Sequence, residues 1–148
     1  MPQRLDYQKV IPDAMKALGG VHGYVAKSGL PKDLVDLVFL RTSQINGCAY
    51  CIDMHTRDLL KGGMKPEKVT LVPVYWEVDN VFSEKEVAAL AWAESLTLIS
   101  QTHAPDAVYA TVSKQFSEKE LGDLTVAIGL MNVYNRIAIG FRKQPDMK

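Results

Sequence analysis

The chain has only two cysteines, and they stand three residues apart at Cys48 and Cys51. A scaffold stapled by several disulfides is therefore excluded, and all thiol chemistry falls within one short stretch. Charge of one sign is also missing: seventeen Lys and Arg cancel seventeen Asp and Glu. Without a basic surplus there is no electrostatic footprint for nucleic acid or for an acidic membrane. No apolar run approaches the roughly 18 residues that cross a bilayer. The opening residues, Met1-Pro2-Gln3-Arg4-Leu5-Asp6, lack the apolar core of a signal peptide, so a cytoplasmic location is expected. In that compartment a purely structural disulfide is uncommon, and a Cys-x-x-Cys reads as redox-active or metal-binding. Convincing strand alternation is absent as well.

What is there reads as helix. Tyr7, Val10, Ile11, Ala14 and Leu18 recur at helical spacing, and Gly19-Gly20 is expected to end that segment. A short second helix is predicted over Val21, Tyr24 and Val25, stopping near Gly29. Pro31 suits the first turn of a third helix, carrying Leu34, Leu37, Val38 and Leu40, and Asn46-Gly47 punctuates it. A fourth begins around Cys48 and stops at Gly62-Gly63. Between Met64 and Asn80, Pro66 and Pro73 leave room for one short helix and a loop bearing Tyr75 and Trp76. Phe82-Ser83-Glu84-Lys85-Glu86 opens a fifth helix that runs to about Ser100. Ser83 and Glu86 form its capping box, and Phe82 can staple onto Val87. A sixth is predicted from Pro105, near Ala107 to Gln115. Phe116 to Glu120 then repeats the pentapeptide 34 residues on, with Phe116 set to staple onto Leu121. The flanks of the two copies do not match, so this is one capping solution used twice, not a solenoid. The last helix, about Glu118 to Phe141, is apolar almost all round and is expected to be the buried central one. The expected fold is all-α, six to seven helices in one compact domain over residues 1–148, long enough for a real core.

A helix through Cys48-Ala49-Tyr50-Cys51 sets the cysteine Cα atoms roughly 5 Å apart, within reach of a disulfide. His55 follows at i+4 from Cys51 and i+7 from Cys48, so the three side chains share a face. The thiolate is the attacking form, and a free thiol titrates near ~8.5, so the site must lower that value. Asn46-Gly47 places both cysteines in a first helical turn, where unpaired N–H groups and the dipole favour the anion. His55 can take or hold the proton. Two cues then conflict over which sulfur attacks. Cys48 is nearer the N-terminus, an effect typically under ~1 kcal/mol at an exposed end. An imidazolium beside a thiolate moves its pKa further, and that favours Cys51.

Plainer readings stand beside this one. Two small residues and a histidine can simply pack. Zinc is the sharper competitor, but a closed site needs a fourth ligand, and His22, His103 or a carboxylate stand at no recognisable spacing. Asp36, twelve residues before Cys48, reaches the imidazole if the third and fourth helices pack antiparallel; otherwise it is a solvated acid. Asn132, Asn135 and Arg136 share a face of the last helix. They read first as a structural network or subunit contact, and second as a polar wall of an active-site pocket.

The stretch from Asp36 to His55, with Ser43-Gln44-Ile45-Asn46-Gly47-Cys48 at its centre, resembles a known signature. It is that of the alkylhydroperoxidase D-like branch of the carboxymuconolactone decarboxylase family: an acid, eleven residues, then Cys-x-x-Cys-x-x-x-His. Leu90 to Ile99 and Asn135-Arg136 are similar to the family too. The resemblance implies Cys51 as the peroxide-attacking thiol, Cys48 as its resolving partner, His55 as base and Asp36 as relay acid. It also implies a homotrimer or homohexamer, an organic hydroperoxide as substrate, a lipoyl-type or thioredoxin-type dithiol reductant, and no organic or metal cofactor. Two positions depart from the pattern. The family acid is usually glutamate, one methylene longer than Asp36. The best-known members carry histidine between the cysteines, where this chain has Tyr50, a poor base near neutral pH.

The expected function is a dithiol peroxidase of antioxidant defence. A thiol–disulfide oxidoreductase acting on a protein is the near rival, and a carboxymuconolactone decarboxylase-type enzyme is a further one. A non-catalytic metal- or stress-binding oligomer is the alternative outside enzymes.

Overall fold

Pro12 has no amide hydrogen and a fixed φ, so it starts a helix instead of continuing one. In the computed structural model, which describes residues 1–147, the first segment accordingly breaks into α1 (Tyr7–Val10) and α2 (Pro12–Ala26). α2 runs through Gly19-Gly20, where a stop was expected. Two glycines cost a helix on the order of 1 kcal/mol each, and packing against the last helix overrides that preference. The actual stop is Ala26, followed by Gly29 at φ 98°.

The third and fourth helices, α3 (Lys32–Asn46) and α4 (Ala49–Lys61), fold back on each other across Gly47. Gly47 has φ 74°, a left-handed conformation that a side chain resists. Then come α5 (Pro66–Thr70), a 3₁₀ helix (Val72–Glu77), α6 (Glu84–Thr97), α7 (Ile99–Thr102), α8 (Asp106–Gln115) and α9 (Glu118–Phe141). The described residues thus hold ten helices, not six to seven, and no strand. The extra ones are short. Pro12 splits the first, Tyr75 and Trp76 sit in the 3₁₀ helix instead of a loop, and Leu98 leaves helical geometry to detach α7 from α6.

The central element is α3, not α9. Every residue from Leu34 to Leu40 is buried. On one side Val35, Val38 and Phe39 pack with Ala89 and Trp92 of α6 and Leu124, Ile128 and Met131 of α9. On the other, Leu37 and Leu40 meet Leu59 of α4, Val72, Tyr75 and Leu90. Against the expectation that no apolar run approaches a membrane span, α9 is long and apolar enough to cross one by length and composition alone, but its inner face packs here against α3 and α6. Its outer face is exposed, and small: Gly122, Val126, Gly129, Val133 and Gly140. Reading α9 as buried all round misjudged these residues, whose hydropathy comes with little surface to bury.

Both copies of the repeated pentapeptide form complete capping boxes, Ser83 with Glu86 and Ser117 with Glu120. They also meet. Lys85 of the first copy donates to Glu120 of the second at 3.3 Å and lies 4.8 Å from the ring centre of Phe116. One local solution thus starts two helices and joins their beginnings.

Candidate active site

Because Gly47 turns the chain sharply, Cys48 becomes the N-cap of α4 and Cys51 falls in its first turn. The Cys51 backbone N–H donates to Cys48 Sγ at 3.4 Å, the place a serine hydroxyl usually takes. The two cysteines are joined as a disulfide, with Cα atoms 5.3 Å apart. Cys48 is 1% and Cys51 2% exposed, packed with Ala138 of α9 and the half-buried Tyr50.

The turn that carries them is tied down by amides. Asn46 Nδ2 donates to Asn132 Oδ1 and Asn135 Oδ1, each at 3.0 Å, and Asn135 Nδ2 donates to Ser43 Oγ at 3.0 Å. Asn132 also donates to the Ile128 carbonyl at 2.9 Å. Asn132 and Asn135 are therefore a structural network under the Cys48 turn, and neither lines the cavity described below. Arg136, one position further round the helix, is exposed and does not share their buried face. Asn135→Ala strips Ser43 of its partner in a fully buried place and should cost about 2 kcal/mol. A lower urea midpoint at unchanged slope would register it; an unchanged midpoint would mean the network is idle.

Above Cys51 opens a cavity of about 360 Å³, walled by Tyr7, Met15, His22, Tyr50, Met54, Met131 and Tyr134 among others. Cys51 lines it and Cys48 does not. Tyr50 stands at its rim, with Lys143 Nζ 5.4 Å from its ring centre.

His55, one turn after Cys51, is 3% exposed, its ring 5.2 Å from that of Phe39. Neither ring nitrogen has a hydrogen-bond partner in the protein. Nδ1 is 3.8 Å from Asp58 Oδ2, beyond hydrogen-bond length. Burial pushes the ring's pKa down to about 4; Asp58 pulls it up, while His22 and Lys32 push it further down. At neutral pH the ring is uncharged, and burial makes it a weaker base than a free imidazole. Asp36 is buried and accepts a hydrogen bond from Lys32, not from His55. Burial raises its pKa, and Lys32 pulls it back down. One polar atom each from Asp36, His55 and Asp58 lie within 4.8 Å of one another.

So the fold bridges Cys48 and Cys51 and sets His55 one turn further along α4, with Asp36 near it but with no hydrogen bond from the ring to either sulfur. It places Tyr50 on the cavity wall and leaves Arg136 outside. Two neighbours went unread. Asp58 follows His55 at i+3, a spacing visible in the sequence. His22, weighed only as a zinc ligand, reaches the cavity because α2 lies across it, which no local pattern signals.

The family profile of the carboxymuconolactone decarboxylases matches residues 12–95, a span that holds Asp36, Cys48, Cys51 and His55. The chain belongs to the carboxymuconolactone decarboxylase family. The uncharacterized protein YdfG of Bacillus subtilis is 36% identical to this chain over 148 residues, 100% of both chains. A solved structure from Agrobacterium tumefaciens is 40% identical, with a TM-score of 0.95 over 99% of this chain and 100% of that one. That protein is of unknown function, and AhpD-type antioxidant defence has been suggested for it. Fold and sequence together make this chain an AhpD-like member of the family. The debrominase Bmp8, at 21% identity and a TM-score of 0.81 over 91% of this chain and 72% of its own, shares the fold alone.

Proposed function

We propose that this AhpD-like protein is a dithiol peroxidase that reduces organic hydroperoxides to alcohols. One observation carries the reading: a bridged Cys48–Cys51 pair at a helix start, with Cys51 alone opening into a largely apolar cavity. In the reduced protein Cys51 passes its proton to the neutral His55, and the thiolate attacks the terminal peroxide oxygen. The O–O bond breaks, the alkoxide takes a proton from His55 and leaves as alcohol, and Cys51 becomes a sulfenic acid. Cys48 attacks that sulfur, water departs, and the disulfide closes. An external dithiol then reopens it by exchange.

Sulfurs exposed by one or two per cent lie out of reach of a folded protein carrying its own disulfide, which supports a small peroxide as oxidant. By the same reasoning a slender lipoyl-type arm suits the reductant better than a thioredoxin-type protein. Decarboxylase activity is less supported, because that branch of the family generally does without the cysteine pair. Thiol titration decides between the readings. One equivalent of cumene hydroperoxide should consume both thiols, far faster than an oxidised protein disulfide does. The opposite order would transfer the case to a thiol–disulfide oxidoreductase.

We also propose a trimer-based homo-oligomer. Val126 at 43%, Val133 at 40% and Ile139 at 42% exposure, between the glycines of α9, form an apolar face of the kind a second copy covers. Light scattering should report three or six times the chain mass. A stable mass of 16.4 kDa at micromolar concentration would refute it.

A further inference from the structure

Two carboxylates and an imidazole converge in a place where the proposed thiol chemistry uses only the imidazole. Asp36 comes from α3, His55 and Asp58 from α4, and one donor atom from each lies within 4.8 Å of the others. We propose that these three side chains form a site for a divalent transition-metal cation of the Zn²⁺ type.

The independent sign is His55 itself. It is 3% exposed, and both its nitrogens lack a partner in the protein. A buried, unsatisfied imidazole is costly, and native proteins rarely tolerate one without a role. Its Nδ1 faces Asp58 Oδ2 at 3.8 Å, the separation of two donors on one ion and too long for a bond between them. With zinc–ligand distances near ~2.1 Å, two donors on a tetrahedral ion lie about 3.4 Å apart, so a pair as wide as 4.8 Å must close by about 1.4 Å, which rotation of the partly exposed Asp58 side chain can supply.

The two acids are reached from solvent, while His55 lies buried behind them. Asp36 and Asp58 both line a second cleft, of about 960 Å³, that shares no residue with the cysteine cavity. The cleft also carries Asp33 and Glu67, and its four acids face Lys32, Lys61, Lys65 and Lys68, so a cation is held by the converging ligands and not by an excess of negative charge. Lys32, which donates to Asp36, has a side chain 80% exposed and can swing into solvent when a cation takes its place. One nitrogen and two oxygens suit zinc-like ions; magnesium and calcium want oxygen alone. Three protein ligands leave a fourth position for water. The spacing of the cysteine motif gave no hint of this site, because its ligands come from two helices and include neither thiol.

The site shares His55 with the proposed thiol chemistry, so its test is a binding measurement on the oxidised protein, in which no free thiol remains to compete as a ligand. Calorimetric titration with zinc chloride should give one ion per chain. Asp58→Asn should weaken binding roughly tenfold or more. Asp58 is 44% exposed, so that variant keeps the fold. Lys32→Met should strengthen binding severalfold, which an adventitious surface histidine would not do. Calcium chloride should give no heat. In imidazole nitrogen spectra the His55 resonances should shift and those of His103 should not. No zinc uptake up to about 1 mM, or uptake indifferent to Asp58→Asn, or shifts confined to His22 and His103, would overturn the proposal.

Discussion

Cys51→Ser protein should leave hydroperoxide untouched, whereas Cys48→Ser protein should react once and stop at a trappable sulfenic acid. Two features of the site pull in opposite directions. The Cys51 N–H bond to Cys48 Sγ would steady a thiolate on Cys48, an effect of about 1 kcal/mol for a cap, or under tenfold in its population. Cys51, however, is the sulfur on the cavity wall, and His55 sits one turn beyond it. Contact with the peroxide is a requirement and thiolate fraction only a factor, so Cys51 attacks. Its removal should slow the first step on the order of a thousandfold or more, the scale of losing a nucleophile. Serine at position 48 is itself a good N-cap, so that variant keeps α4 while lacking the resolving thiol. His55→Ala should slow the first step about a hundredfold. Dimedone labelling with mass spectrometry reads all three. If dimedone labels Cys48 in the Cys51→Ser protein at the wild-type rate, the roles are exchanged.

Acid should unfold the protein through the same histidine. The His55 pKa falls from 6.5 in the open chain to about 4 in the fold. As pH drops below 6.5 the unfolded chain binds a proton that the folded one refuses, so stability is intact above that value and lost down to about 4. At ~1.4 kcal/mol per unit the loss is roughly 3 kcal/mol. The groups facing the ring are Asp58 on its own helix, Asp36 and Lys32 on α3, and His22 on α2. The raised pKa of Asp36 works the other way at the acid end, because there the folded state holds the extra proton. The clean measurement is therefore a difference. Urea unfolding from pH 7.5 to 4 should show the stability of wild type falling relative to that of His55→Phe by about that 3 kcal/mol. A difference constant across the range would mean that His55 titrates alike in both states.

Much of this was legible in local sequence because local physics decides it. The last helix has its expected ends, Glu118 and Phe141, since a capping box opens it and its apolar run stops abruptly. Cys48 starts α4 because Asn46-Gly47 can only be a helix exit. What escaped depends on distant partners. Gly19-Gly20 continues a helix because α9 supports it, and α3 is central because helices on both sides cover it. The site shows the same division. Cys48, Cys51 and His55 share one helix and could be placed from spacing, while Asp36 fell within reach only once α3 and α4 folded back. His22 and the cavity walls belong to packing alone.

The glycines of α2 have one more consequence. Val25 is the only buried residue of that helix, and its C-terminal end is held by Tyr24 Oη donating to Asp123 at 2.7 Å. Along the rest of the helix Met15, Gly19 and His22 face the cavity over Cys51. Amides there should exchange with deuterium well before those of α3, by local opening that leaves the core intact. Traffic to the sulfur would then be set by how often this stretch of α2 lifts, a rhythm that Gly19→Ala and Gly20→Ala should slow without touching a reacting atom.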